Sequence, residues 1–206
     1  MQVVEPSFSI VTSLDGDSIL KTIESIGRIC YKSESRISED SARDFVRRII
    51  CSGHESVIEH ISVSVKVICD RGVSHEIVRH RLASYSQEST RYCNYSLGKF
   101  GNEITVIRPF YWRADEEKYK IWLKSMSDAE VAYLALIKCG ATPQEARSVL
   151  PNSLKTELVM TMNLREWRHF FKLRAEKHAH PQMREIALPM LKEFQRQIPI
   201  VFDDLH

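Results

Sequence analysis

Seven residues from Ile61 to Val67, ISVSVKV, alternate strictly between β-branched apolar and polar side chains. A period of two puts Ile61, Val63, Val65 and Val67 on one face of an extended strand and Ser62, Ser64 and Lys66 on the other, which suits a half-buried strand and no helix. Such a strand must lie in a sheet with one face covered. Helices to cover it precede it: Ile19, Ile23, Ile26 and Cys30 recur at helical spacing within residues 18 to 30. A second helix is expected from about Asp40 to Cys51, with Phe45 and Ile49 inward and Gly53 just beyond its end.

Downstream, Gly72 to about Arg81 reads as a short helix, followed by a hydroxyl-rich loop and a weaker strand signal at ITVIRPF, residues 104 to 110. Residues 114 to 139 have a helical composition that stops at Gly140. Thr142 as N-cap, Pro143 in the first turn and Glu145 three residues after the cap form a capping box, the strongest helix start in the chain. LVMTM at 158 to 162 suits a buried strand. From there to Gln197 the chain reads as helix, interrupted near His180 and Pro181, with Pro189 as a kink point. No repeat, linker or low-complexity tract divides the 206 residues, so one α+β domain is expected.

Composition narrows the function classes. With 43% hydrophobic and 27% charged residues the chain is an ordinary globular one, and no apolar run approaches the roughly 20 residues that cross a bilayer. The start, MQVVEPSFSI, lacks the basic and apolar regions of a secretory signal, so a cytoplasmic location is expected, with no membrane association. Five cysteines (Cys30, Cys51, Cys69, Cys93, Cys139) form no C-x-x-C pair; they read as reduced thiols, mostly in the core. A net charge of +2 is too small to argue for nucleic acid. Its distribution says more: Asn163 to Arg184 holds six Lys or Arg, two Glu and three His.

Within that basic segment, about 100° per residue places Leu164, Trp167, Phe170 and Phe171 on one helical face and Arg165, Arg168, His169 and Lys172 on the other. Arg174 falls on the apolar face, and His178 one turn later does too. A guanidinium there needs an anion, a carbonyl or a carboxylate, so it is either a structural ion pair, exposed by fraying, or the lining of a ligand cavity. A second cluster, RHRLASYSQESTRY at 79 to 92, sets Arg79, His80 and Arg81 in succession, where a helix could not turn all three to solvent. Ser84, Ser86, Gln87, Ser89, Thr90 and Arg91 then offer hydroxyls, amides and a fork of donors suited to phosphate, or else make a solvated basic loop. GHESVIEH, with His54, Glu55, Glu59 and His60, lacks the H-E-x-x-H spacing, and His75 and His80 are five apart, so no metal site is expected. Neither a Gly-rich nucleotide loop nor a G-x-S-x-G elbow is present.

Together these stretches resemble the flavin-dependent thymidylate synthases (ThyX type), whose signature is Arg-His-Arg followed after a short gap by serine and arginine. GHES at 53 to 56, EARSVLP at 145 to 151 and NLREWRHFFKLRAEKHA at 163 to 179 agree in order and spacing, and the resemblance runs from about residue 15 to 203. It implies a single domain with a largely antiparallel sheet flanked by helices. It implies FAD contacts at Ser56, Arg79, His80, Arg81, Gln87, Asn163, Arg165 and His169. For the substrate dUMP it implies Ser89, Thr90 and Arg91 at the phosphate, Arg147 at phosphate or sugar, Glu76, Arg79, Gln87 and Glu88 as further contacts, and Arg174 at the uracil ring. The implied reaction is reductive methylation of dUMP to dTMP, with methylenetetrahydrofolate as carbon donor and NADPH reducing the flavin. No cysteine nucleophile is required. A fixed cation at Arg174 would instead stabilise charge developing on the ring.

The chain departs from the family pattern in places. Ser86-Gln87 stands where Asn-Glu is common, with Glu88 one residue later; Glu76 replaces a frequent glutamine, and His169 a frequent asparagine. The family is homotetrameric with flavin sites shared between subunits, and the same is implied here. A nucleic-acid binder that stacks bases on Tyr85, Tyr92 and Tyr95, and a nucleotide-binding flavoprotein without synthase activity, are the competing readings.

Overall fold

The computed structural model describes residues 1–206. Its elements in chain order are β1 (Gln2–Val4), β2 (Ser7–Ile10), α1 (Gly16–Ile29), α2 (Ser41–Cys51), β3 (Ser62–Asp70), α3 (Arg71–Ile77), β4 (Ser84–Gln87), β5 (Thr105–Ile107), α4 (Glu117–Lys138), α5 (Pro143–Ala146), β6 (Lys155–Asn163), α6 (Leu164–Arg174) and α7 (Pro181–Gln197). β1 pairs in parallel with β5, Val3 opposite Val106. The remaining strands form an antiparallel sheet of order β2-β3-β6-β4. The alternating run lies in β3, where Val63, Val65 and Val67 are fully buried, and β6 alternates likewise, burying Thr156, Leu158, Met160 and Met162. No helix is long and apolar enough to cross a membrane.

Contacts group the chain into two compact units, the first made of Met1–Ser7, Val67–Arg79 and Ser86–Val159, the second of Phe8–Lys66, His80–Tyr85 and Met160–His206. In the first, α4 lays Trp122, Met126 and Tyr133 against Tyr95, Ile104, Val106, Ala146 and Leu154. The Trp122 indole N–H, which would be costly to bury unpaired, donates to Ser153 Oγ at 3.1 Å. The expected capping box is formed, Glu145 Oε2 accepting the Thr142 N–H at 2.7 Å, and Gly140 ends α4 at φ +89°. Yet α5 lasts one turn and tightens to a 3₁₀ turn over Arg147–Val149 before Pro151, whose ring disfavours helix in the residue ahead of it.

In the second unit α1 packs on α2, and α6 on α7. The periodic face of α1 carries an ion pair that apolar spacing alone does not reveal. Arg28 Nη2 lies 2.6 Å from Glu24 Oε1, both side chains are buried, and the other Glu24 oxygen accepts the Ser41 hydroxyl at 2.7 Å. α6 is capped by Asn163, whose side chain accepts the Glu166 N–H at 2.9 Å, and it is tied to β3 by the Trp167 indole donating to Val63 O at 3.1 Å. Trp167, Phe170 and Phe171 stack with Phe194 and Phe202 in one aromatic cluster. Each is at most 1% exposed, a burial worth about 2–3 kcal/mol per ring.

Four expectations need correction. Arg168 does not face solvent with Arg165: it is 2% exposed, because Glu55 and Asp204 reach it with carboxylates. His178 is exposed, since α6 ends at Arg174 and the helical face ends with it. Arg79, His80 and Arg81 are not helical, because α3 stops at Ile77; the segment after them is not all loop either, as Ser84–Gln87 forms β4. Only Cys69 among the five cysteines is buried, while Cys30, Cys51 and Cys139 are exposed at the C-terminal ends of α1, α2 and α4.

Candidate functional site

In the second unit, Arg81, Asn163, Arg165 and His169 line one pocket of about 540 Å³ together with Leu82, Glu55, Glu59, Glu166 and Lys172. The N-terminal half of α6 supplies most of this wall: the Asn163 cap, then Arg165, Glu166, His169 and Lys172. Three basic side chains and three carboxylates make it a polar cleft. Arg165 Nη1 pairs with Glu59 Oε1 at 2.5 Å, but Arg165 is half exposed, so water competes for that bond. Ser56 is exposed in the 3₁₀ segment Glu55–His60 and lines a neighbouring pocket that shares only Glu55 and Arg165 with the first. Arg79 is exposed and lines neither.

His80, by contrast, is 4% exposed. Its Nε2 accepts from Arg174 Nε at 3.0 Å, its Nδ1 faces Glu166 Oε1 at 3.2 Å, and its ring packs edgewise on Phe170 and His169. Burial, with the nearby charge of Arg174 and then of His169, lowers its pKa to about 4, so it is neutral near pH 7. Burial raises the Glu166 pKa, opposed by His169 and by the Arg81 backbone N–H that the carboxylate accepts. The partner that Arg174 requires on its apolar face thus includes an imidazole nitrogen, an acceptor absent from the expected anion, carbonyl and carboxylate.

The ligating atoms of His80, Glu166 and His169 lie within 4.8 Å of one another. Both ring nitrogens of His80 are nevertheless committed to hydrogen bonds, and the Arg174 guanidinium beside them repels a cation. The chemistry of the cluster is that of a positioned base and cation rather than of a metal centre.

The first unit gathers most of the residues expected at the nucleotide. Gln87 Nε2 donates to Ser74 Oγ at 3.0 Å and to Thr156 Oγ1 at 3.2 Å. Glu88 accepts the Tyr95 hydroxyl at 2.8 Å and lies 3.2 Å from Lys155 Nζ, which also pairs with Glu157 at 2.5 Å. Burial, then the Glu88 charge, pushes the Tyr95 pKa up, so Tyr95 stays a donor. Ser89 accepts the Arg91 N–H at 3.3 Å, Thr90 is 6% exposed, and Arg91 Nε reaches Gln144 Oε1 at 3.1 Å. Arg147 is exposed in its 3₁₀ turn, and Glu76 is half-buried near the end of α3. So the two residues at the departure from the family pattern differ in kind: Gln87 is held by hydroxyls, Glu88 by a lysine and a phenol.

The sequence assigned no site role to Glu166 or Lys155, placed Lys172 only on the polar face of its helix, and offered Tyr95 only as a stacking group in a competing reading. For Glu166 a signal existed, because Glu166, Phe170 and Arg174 are spaced by four and share one face of α6. For Lys155, no local pattern marks a strand residue that meets Glu88 from 67 positions away.

Comparison with known proteins adds an independent line. Residues 14–200 match the family model described as thymidylate synthase complementing protein. A protein from Pyrococcus furiosus named flavin-dependent thymidylate synthase is 38% identical over 172 residues, covering 83% of this chain and 70% of that one. One of the same name from Geobacter sulfurreducens is 35% identical over 184 residues, covering 86% and 78%. Among solved structures, the UMP/dUMP methylase PolB from Streptomyces cacaoi, bound with 5-Br dUMP, superposes with a TM-score of 0.79 at 22% identity, covering 98% of this chain and 96% of that one. At that identity the likeness is one of fold.

Proposed function

Because this chain belongs to the flavin-dependent thymidylate synthase family, we propose that it converts dUMP to dTMP by reductive methylation, with FAD as cofactor, methylenetetrahydrofolate as carbon donor and NADPH as reductant. One observation carries the reading: Arg81, Asn163, Arg165 and His169, up to 88 positions apart, line a single pocket. Its volume lies within the range of about 300–1,000 Å³ usual for cofactor sites. Its mixed donors suit a flavin ring and an adjoining phosphate, Arg165 and Lys172 attracting the anion and the Asn163 amide offering a directional hydrogen bond. A bound flavin supplies the hydride and redox chemistry.

What the chain's own residues do is electrostatic. Carbon 5 of uracil is a weak nucleophile, and no cysteine is among the residues assigned to the nucleotide. Arg174, whose Nε donates to His80, supplies the fixed cation that stabilises charge as it develops on the pyrimidine carbonyl and imide. Ser89, Thr90, Arg91 and Arg147 hold the phosphate, and Gln87 and Glu88 the nucleoside. The subunits assemble as a homotetramer, as the family does.

The test is direct. Purified protein loaded with FAD and given dUMP, methylenetetrahydrofolate and NADPH should form dTMP. Arg174→Ala should retain FAD and lose turnover by about a hundredfold, the worth of one preorganised donor. A colourless protein that takes up no added FAD, or an Arg174→Ala variant with unchanged turnover, overturns the reading.

A further inference from the structure

Two side chains of the second unit stand behind the proposed catalytic arginine, Arg174: His80, which it meets, and Glu166, which meets His80. An arginine Nε can only donate, so the His80 Nε2 that meets it at 3.0 Å carries a lone pair. The ring proton therefore sits on Nδ1 and points at Glu166 Oε1, 3.2 Å away. In solution a neutral imidazole takes up both tautomers. Here the other one would set a ring N–H against the Arg174 N–H, donor against donor, and would offer Glu166 a lone pair.

The rest of the ring's environment is fixed. The His80 carbonyl accepts from the Tyr85 hydroxyl at 3.2 Å and from Arg81 Nη1 at 2.7 Å, and Phe170 packs 5.0 Å from the ring centroid. Glu166 also accepts the Arg81 backbone N–H. With the main chain pinned and the ring buried, Glu166 and Arg174 favour the same tautomer from opposite edges of the ring, the carboxylate by accepting the Nδ1 proton. A histidine whose second nitrogen is held by a carboxylate is the general means by which proteins orient an imidazole toward its working partner.

We propose that Glu166 is a positioning residue for the reaction: it holds the proton on His80 Nδ1 and so keeps Nε2 as the acceptor that anchors Arg174 beside the pyrimidine. The inference rests on the proposed role of Arg174. Without it, the guanidinium loses the hydrogen bond that fixes its Nε edge, and the loss falls on turnover, since a misplaced donor weakens the transition state more than the bound ground state.

Two measurements on the FAD-loaded enzyme test it. Nitrogen NMR of protein labelled with ¹⁵N-histidine, with His80 assigned by difference against His80→Gln, should show the Nδ1–H tautomer, and Glu166→Ala should show it lost or mixed. At saturating FAD, Glu166→Ala should lower kcat about tenfold with KM for dUMP within about twofold. Glu166→Gln, whose carbonyl still accepts the Nδ1 proton, should recover the tautomer and most of kcat. An Nε2–H tautomer in the unaltered protein, or a Glu166→Ala variant that keeps its kcat, overturns the proposal. Unchanged turnover in Arg174→Ala instead removes Arg174 from the chemistry, while the nitrogen spectra still decide what Glu166 does to His80.

Discussion

Replacing Arg168 by leucine tests how the second unit is held together, and the structure sets the size of the effect. The guanidinium is 2% exposed, with Nε at 2.8 Å from Glu55, Nη1 and Nη2 each at 2.7 Å from the Asp204 carboxylate, and Nη1 also donating to the Val201 carbonyl. These acceptors respond differently to its loss. Asp204 is 51% exposed and rehydrates; Glu55 keeps Lys172 at 3.7 Å and Arg165 at 3.8 Å. Val201 is fully buried, so its carbonyl is left unpaired, which by itself costs about 1–3 kcal/mol. Adding the weaker carboxylate terms gives about 3 kcal/mol, the low end of what breaking a buried pair costs. For a chain of this length that lowers Tm by roughly 6–12 °C. Thermal unfolding followed by circular dichroism, with Asp204→Asn as the milder control, reads it. A Tm for Arg168→Leu within a degree or two of the unaltered protein would show that this network contributes nothing, and that the burial of Arg168 has been misjudged.

Two further outcomes follow from the titrating and amide groups. His80 has a pKa of about 4 in the fold against the usual 6.5, so it binds its proton more readily when unfolded, and the stability tied to its neutral form is complete above pH 6.5 and lost as pH falls toward 4. The loss is at most about 3 kcal/mol, reduced by Glu166, whose raised pKa works in the opposite direction. Urea unfolding at pH 7 and pH 4.5 should show a shallower pH dependence for His80→Gln, and an identical one would refute the assignment. Gln87→Glu removes the donor that serves both Ser74 and Thr156; the Thr156 hydroxyl can reverse, but Ser74 already donates to Arg71 O at 2.9 Å. A loss of about 1 kcal/mol is expected by urea titration, and a gain in stability would show that the acidic residue common in the family is the better fit.

Several features were legible from spacing because their causes are local. Strict alternation at 61 to 67 and the apolar positions at 158 to 162 announced the strands β3 and β6, and Thr142, Pro143 and Glu145 announced their cap, since period and capping act over a few residues. The ends of elements were less legible. α3 stops before Arg79, so the three adjacent basic residues separate, His80 inward and Arg79 and Arg81 outward, by the course of an irregular segment that no helical wheel describes.

By itself the sequence determined the α+β pattern, the motifs that carry the family, and the anomaly of a cation on the apolar face of α6. Only the tertiary structure decided what meets that cation and what draws Arg168 inward. His80 comes from 94 positions away and Asp204 from 36, and a charge's burial depends on whether such a partner arrives, which helical phase alone does not encode. Periodicity reports where a side chain starts out; the free energy of placing a charge there depends on the acceptors that other segments bring to it.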